Sequence, residues 1–263
     1  MATTTYPTRH GPMLAFTNDR FMTPTLEMRG EYAPQELALL EQFTRPQMTV
    51  VEIGSNIGVH TIPLARKCAP APLFAFEPQP RVFQVLCANL VRNEIGNVIA
   101  YPDACGEAMG WATMPPLDYD AAQNFGGVSL QAPDEPGTKV RVIPLDALRL
   151  ATLGLLKIDV EGHEGKVLGG ARETIARCRP IIYVENDRPN QQGEVIRLLT
   201  EMGYTLYWHT PELADAGVFD RIFVSVNMLA TPIERGIKIF GAEPIDPDNW
   251  LSPQSKRGGA NAD

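Results

Sequence analysis

Residues 48–61 read MTVVEIGSNIGVHT. The first six are a short apolar, partly β-branched run, the pattern of a buried strand, and Gly54 ends it. A helix is expected at 57–67. Strand, glycine turn and helix therefore follow one another directly, as in the first unit of a parallel α/β sheet. The alternation continues outward. LFAFE (73–77), NVIAYP (97–102), LLKID (155–159) and PIIYVE (180–185) read as further strands. Helices are expected at 80–93, 163–176 and about 190–202, and one ahead of the first strand at Pro34–Phe43, where Pro34 suits a first turn. YTLYWH (204–209) and RIFVSV (221–226), joined by an acidic loop, read as an antiparallel edge hairpin. The expected fold is α/β, a mixed and mostly parallel sheet with helices on both faces. Residues 103–150, with five prolines, form a long irregular stretch that TKVRVIPL (138–145) ends in strand-like fashion. A loop of that length in a compact domain is usually functional or mobile.

The chain has 263 residues, 44% apolar and 21% charged, which rules out disorder of the whole. Lys and Arg number 23 and Asp and Glu 31, a net charge of −8. No nucleic-acid partner is expected, since such binding needs a basic footprint. No apolar run reaches the roughly 20 residues of a membrane helix, and MATTTYPTRHGPM lacks the apolar centre of a secretory signal. Cys68, Cys87, Cys105 and Cys178 contain no C-x-x-C pair, so reduced thiols and a cytoplasmic location are expected. Three segments are expected: an N-terminal extension (1–30), a main domain (31–227) and a partly flexible C-terminal extension (228–263).

Open α/β sheets bind ligands at the carboxyl ends of their strands. That places Gly54, Ser55, Asn56 and Gly58, with His60 and Thr61 after them, against a ligand. The spacing is not G-x-G-x-x-G, and Glu52 stands just before the turn. A carboxylate there would repel the pyrophosphate of a dinucleotide and favour a cation. S-adenosylmethionine (SAM) carries an ammonium and a sulfonium and no phosphate. Glu77, ending the second strand before Pro78, has two acceptor oxygens that suit both hydroxyls of one ribose, or a role as helix cap. Asp103 and Ala104, after the third strand, suit the adenine end or an ordinary solvated loop.

LLKIDVEGHEGKVLGGA (155–171) sets Asp159, Glu161, His163 and Glu164 just past a buried strand. Ionisable groups so dense at a buried edge are costly unless paired or used. Asp159 would sit nearest the reactive end of the ligand. Glu161 also fits a helix cap, and Glu164 and Lys166 fit a solvated helix face. Glu185 and Asn186 repeat the theme one strand over, where they could hold an acceptor hydroxyl.

The EIGSNIGVHT turn, FEPQP, Asn89 after its helix, NFGGVSL (124–130), PLDAL (144–148), KIDVEGHE followed by VLGGA, and RPIIYVEN occur in the order seen in FkbM-family methyltransferases. The resemblance spans about residues 30–226. It implies a seven-stranded, Rossmann-like class I methyltransferase fold, SAM as methyl donor, and O-methylation of a hydroxyl on a sugar, glycolipid or natural product. Methyl transfer from a sulfonium is an in-line displacement in which the protein supplies orientation and any base. Asp159 or His163 is the expected base, with Glu161 and Glu185 orienting a small-molecule or glycan acceptor. Asp159, Glu161, His163 and Glu185 are also possible donors to a divalent ion, but no spacing among them is diagnostic and no metal is expected. Alternatives are N-methylation of an amine or peptide, a non-catalytic accessory protein of the same fold, and, opposed by Glu52, an NAD(P) oxidoreductase. The oligomeric state stays open, a homodimer among the options.

Overall fold

The computed structural model describes residues 2–214, 217–219 and 222–254. Strands β1 (Thr3–Thr8) and β2 (Gly11–Phe16) form a hairpin, followed by helices α1 (Met22–Arg29) and α2 (Pro34–Gln42). Next come β3 (Val50–Ile53), α3 (Thr61–Cys68), β4 (Leu73–Phe76), α4 (Pro80–Arg92) and β5 (Val98–Tyr101). Three strands, β6 (Ala104–Cys105), β7 (Gly110–Met114) and β8 (Thr138–Ile143), precede β9 (Leu155–Ile158), α5 (Glu164–Gly169) and α6 (Arg172–Cys178). β10 (Ile181–Glu185), α7 (Gln192–Glu201), β11 (Tyr204–His209), β12 (Glu212–Ala214), β13 (Phe223–Val224) and β14 (Asn227–Pro232) complete the order.

The central sheet has seven strands in the order β11-β14-β10-β9-β3-β4-β5. β10, β9, β3, β4 and β5 run parallel, and β14 is antiparallel to both neighbours. From β3 the chain moves outward through β4 to β5, then returns to β9 on the other side of β3. That reversal opens a crevice at the carboxyl ends of β3 and β9. Side chains alternate between the sheet's faces. Val51, Ile53, Leu156, Ile158 and Val184 share one core with Val167, Ile175 and Val195 from α5, α6 and α7. Val50, Leu155 and Tyr183 share the other with Phe16, Leu37, Leu40, Ile62 and Leu86. Each such fully buried aliphatic side chain contributes about 1.5–3 kcal/mol. Glu52 and Lys157 fall on this second face, opposite one another in register. No helix among the described residues is long and apolar enough to cross a membrane.

Several elements differ from expectation. The Thr- and Pro-rich start is a hairpin with Pro7 opposite Pro12, and Met13, Ala15 and Phe16 enter the core. The prolines masked its alternation. Asn89 lies within α4, not after it. Its Oδ1 accepts the Leu14 N–H (2.6 Å), and its Nδ2 donates to the Leu14 and Ile57 carbonyls (3.0 and 2.8 Å). It thereby ties the hairpin to the glycine turn. Helix α3 starts at Thr61 rather than 57, because Asn56 (φ 48) and Gly58 (φ 94) are left-handed. The helix expected at 163–176 is two helices, interrupted at Gly170 and Ala171.

The last sheet strand is Asn227–Pro232, not RIFVSV. Within RIFVSV only Phe223–Val224 pairs, with β12 in a separate ribbon, and Arg221 lies outside the described residues. NMLATP shows no alternation because all six residues are buried, as in a strand with both faces covered. β14 inserts between β10 and β11, so the antiparallel strand is not at the edge and the sheet continues past 227. Residues 103–150 hold the small sheet β6-β8-β7, which confines the irregular part to 115–137. Residues 255–263 of the expected flexible tail lie outside the described residues.

Candidate active site

The carboxyl ends of β3, β9 and β10 open on a cavity of about 760 Å³. A chamber of about 50 Å³ shares Gly54, Asn56, Glu77, Asp159 and Glu161 with it. The larger lining has an apolar side, with Phe21, Met22, Tyr32, Val59, Leu213, Ile222 and Val224, and an acidic side built on the strand ends. Asn124, Gly126 and Gly127 of the 115–137 loop also line it.

Lys157 organises the acidic side. It is 2% exposed, and its Nζ donates to Asp159 Oδ2 at 3.0 Å. The same nitrogen stands 3.7 Å from Glu36 Oε1 and 3.9 Å from Glu52 Oε1. Burial pulls the Lys157 ammonium down, but Asp159, Glu36 and Glu52 outweigh it and hold it above the ordinary lysine range. Burial raises Glu36 and Glu52 to about 7 each, against the pull of Lys157. Thr61 Oγ1 donates to Glu52 Oε2 at 2.6 Å. Glu52 is therefore not the free carboxylate the sequence suggested, since a hydroxyl and a shared ammonium engage it. Burial lowers His60 to about 3, so its ring is neutral beside Glu36 (Nδ1 to Oε1, 3.6 Å).

At the end of β10, one carboxylate oxygen each from Asp159, Glu161 and Glu185 lie within 4.8 Å of one another. Arg188 Nη2 donates to Glu161 Oε2 at 2.6 Å. Burial, then Asp159, raises Glu161 to about 7, and burial, then Asp159 and Glu161, raises Glu185 well above the carboxylate range. The Oε2 of Glu185 is buried and accepts no hydrogen bond. Ser129 Oγ donates to the Glu161 carbonyl (2.6 Å), which holds the turn where Glu161 is left-handed (φ 54). Glu164, expected on a solvated face, is 3% exposed and accepts the Val160 and Gly162 N–H groups (3.2 and 3.1 Å). It, rather than Glu161, satisfies backbone N–H groups of the turn leading into α5.

Glu77 follows β4 directly, and burial raises it to about 7. Its Oε2 accepts the Asn56 N–H (3.0 Å) and its Oε1 the Gln79 N–H (2.8 Å). Each carboxylate oxygen has a second lone pair, so both can still accept a ligand hydroxyl. Of the expected site residues, Glu52, Gly54, Ser55, Asn56, His60, Glu77, Asp159, Glu161 and Glu185 line the large cavity. Pro78, Asp103, Ala104 and His163 line the small chamber instead. Asp103 accepts from Arg141 at both oxygens (2.8 and 2.7 Å), and the His163 Nε2 lies 3.2 Å from the Leu130 carbonyl. Gly58 and Thr61 are in neither lining and act as scaffold.

Sequence reasoning missed Glu36, Lys157, Tyr32 and Arg188. Lys157 had a signal, a charge inside the apolar run LLKI, since a lysine is almost never fully buried unless paired. Glu36 had none, because an acid in a first helical turn is ordinary.

The sheet order, the glycine turn at its reversal and the acid ending the next strand define a class I methyltransferase fold. Residues 52–206 match the family described as the methyltransferase FkbM domain, and the chain belongs to that family. It is 28% identical over 193 residues to the 31-O-demethyl-FK506 methyltransferase FkbM of Streptomyces tacrolimicus, covering 62% of this chain and 74% of that one. It is 30% identical over 179 residues to the hexuronic acid methyltransferase AglP of Haloferax volcanii, covering 66% and 70%. A crystal structure of a methyltransferase FkbM from Methylobacillus flagellatus aligns with TM-score 0.48 and 16% identity, over 74% of this chain and half of that one.

Proposed function

We propose that the chain binds SAM in the large cavity and methylates a hydroxyl of a small acceptor such as a sugar, a glycolipid or a natural product. The observation that carries this is the charge of the lining: Glu36, Glu52, Glu77, Asp159, Glu161, Glu185 and Asp187 against Lys157 and Arg188. Such a lining attracts a cation and repels a pyrophosphate. SAM would supply the electrophilic methyl group. Glu77 would hold the ribose hydroxyls, and the turn at Gly54 gives the ligand a close backbone approach. The relatives' printed names, a 31-O-demethyl-FK506 methyltransferase and a hexuronic acid methyltransferase, support a small oxygen acceptor. An amine fits less well, because surrounding carboxylates keep it protonated and without a free pair. Asp159, which lines both compartments and whose orientation Lys157 sets, is the proposed base, and Glu185 orients the hydroxyl. His163 faces only the small chamber.

SAM affinity is expected to rise with pH up to about 7 and then level off. Glu36, Glu52, Glu77 and Glu161 are raised to about 7, so near pH 5–6 they are largely protonated in the free protein. A cation binds the ionised forms, so binding releases protons, and Kd falls by up to about tenfold per pH unit for each proton released. The sign is opposite for stability of the free chain. These folded values exceed the ordinary 4.5, so stability falls as pH rises between 4.5 and about 7. Calorimetry with SAM across this range tests both the ligand and the sign. No heat with SAM but heat with NAD would overturn the proposal, and a methyl-transfer screen on glycans, lipids and peptides would find the acceptor.

Methyl transfer is also expected to survive EDTA. The carboxylates of Asp159 and Glu161 already have Lys157 and Arg188 as counter-charges. Activity lost to EDTA and restored by magnesium would place an ion on that trio.

A further inference from the structure

We propose that Lys157 is a positioning residue, whose one ammonium compensates Glu36, Glu52 and Asp159 together and holds them in place to receive a cationic ligand. The proposal rests on SAM as that ligand. Lys157 sits mid-sheet, in register with Glu52 on β3 and Tyr183 on β10. Its neighbours on that face, Val50, Leu155 and Tyr183, are core residues, so packing alone would be served by an apolar side chain. The amine instead reaches three acids from three elements at 3.0, 3.7 and 3.9 Å, with its own side chain 3% exposed. Only the contact to Asp159 is a hydrogen bond. It fixes Oδ2 of a carboxylate whose side chain is 38% exposed, so Asp159 has one set orientation at the cavity wall.

Glu36 gives this cluster a reach beyond the matched family region, because α2 precedes residue 52. The other titratable groups facing the cluster are His60, neutral beside Glu36, the tyrosines Tyr32 and Tyr183, and, on the Asp159 side, the acids Glu77, Glu161, Glu185 and Asp187. The nearby cation Arg188 is paired with Glu161 and Asp187. Without Lys157 the three acids share one space uncompensated, and at least one takes up a proton. A cationic ligand must then displace that proton.

The test is calorimetry of SAM binding to wild type and Lys157→Met at about pH 8, in two buffers of different ionisation enthalpy, which gives the protons released per SAM. Lys157→Met is expected to release about one more proton than wild type and to bind more weakly. A lysine that merely packs would change affinity without changing the proton count, and an unchanged count overturns the proposal. Should Lys157→Met fail to fold, Lys157→Met with Glu36→Gln removes one of the acids that lose their counter-charge. Its proton count is then compared with that of Glu36→Gln alone, and the same excess of about one is expected. Wild type that binds no SAM overturns the proposed function itself, a result separate from an unchanged proton count.

Discussion

Asp159→Asn is expected to lower methyl transfer by about 10²–10⁴-fold, the usual worth of a positioned base, while SAM affinity changes far less. The substitution is close to isosteric. An Asn oxygen can still accept from Lys157 Nζ, now 3.0 Å from Oδ2, so the side chain keeps its orientation. What is lost is the capacity to take a proton from an acceptor hydroxyl. Glu161 cannot stand in readily, since Arg188 holds its Oε2 at 2.6 Å. Glu185, raised well above the carboxylate range by burial and then by its neighbours Asp159 and Glu161, is biased toward its protonated form, which disfavours it as a base. His163 has its Nε2 at the Leu130 carbonyl and lines only the small chamber. The measurement is the single-turnover rate with an acceptor from the hydroxyl screen, beside calorimetry with SAM. Near-normal turnover would remove Asp159 as the base.

The split between what the sequence announced and what it concealed has a physical cause. Strands β3, β4, β9 and β10 were legible because buried parallel strands are continuous apolar runs ending in a glycine or an acid, as at Ile53–Gly54 and Ile158–Asp159. The acids at or just past the ends of these strands, Glu77, Asp159 and Glu185, were legible for the same reason, since charge at the end of a greasy run is conspicuous, whereas Glu36 on α2 was not. β14 was not, because NMLATP lacks both alternation and β-branched residues apart from Thr231. The hairpin at Thr3–Phe16 was hidden by Pro7 and Pro12, which pair across an isolated two-stranded ribbon where missing donors cost little. In the site, partnership was what stayed unreadable. Glu52, Asp103 and Glu164 were each seen as single charges, yet each is placed by a residue distant in sequence or by local backbone: Lys157, Arg141 and the 160–162 turn. Local pattern gives the type of residue at a strand end and is silent on which ions meet there.

Gly54→Ala is expected to abolish SAM binding and to destabilise the fold by roughly 2–4 kcal/mol, through two separate penalties. The first is conformational: Gly54 has φ +88, where a residue with a Cβ is strained by about 1–2 kcal/mol. The second is steric and decides the outcome. A Cβ at position 54 would overlap the carbonyl oxygen of Asp159, backbone against backbone. Relief requires β3 and β9 to part at the point where their ends build the cavity, since the Asp159 N–H donates to the Ile53 carbonyl at 2.9 Å. The same movement would carry Asp159 away from Lys157 and open the turn that presents Asn56 to Glu77. Gly58→Ala provides the contrast. Gly58 is also left-handed (φ +94), but the one close approach of its added Cβ would be to Leu86 Cδ1 at 2.9 Å, the end of a side chain that can turn aside, with Thr61 at ordinary contact distance. It should therefore cost less stability and retain SAM binding, because position 58 lies outside both linings. Thermal denaturation and SAM calorimetry on the two variants make the comparison. Equal losses in both would mean that strain at the turn, rather than the contact between the ends of β3 and β9, shapes the site.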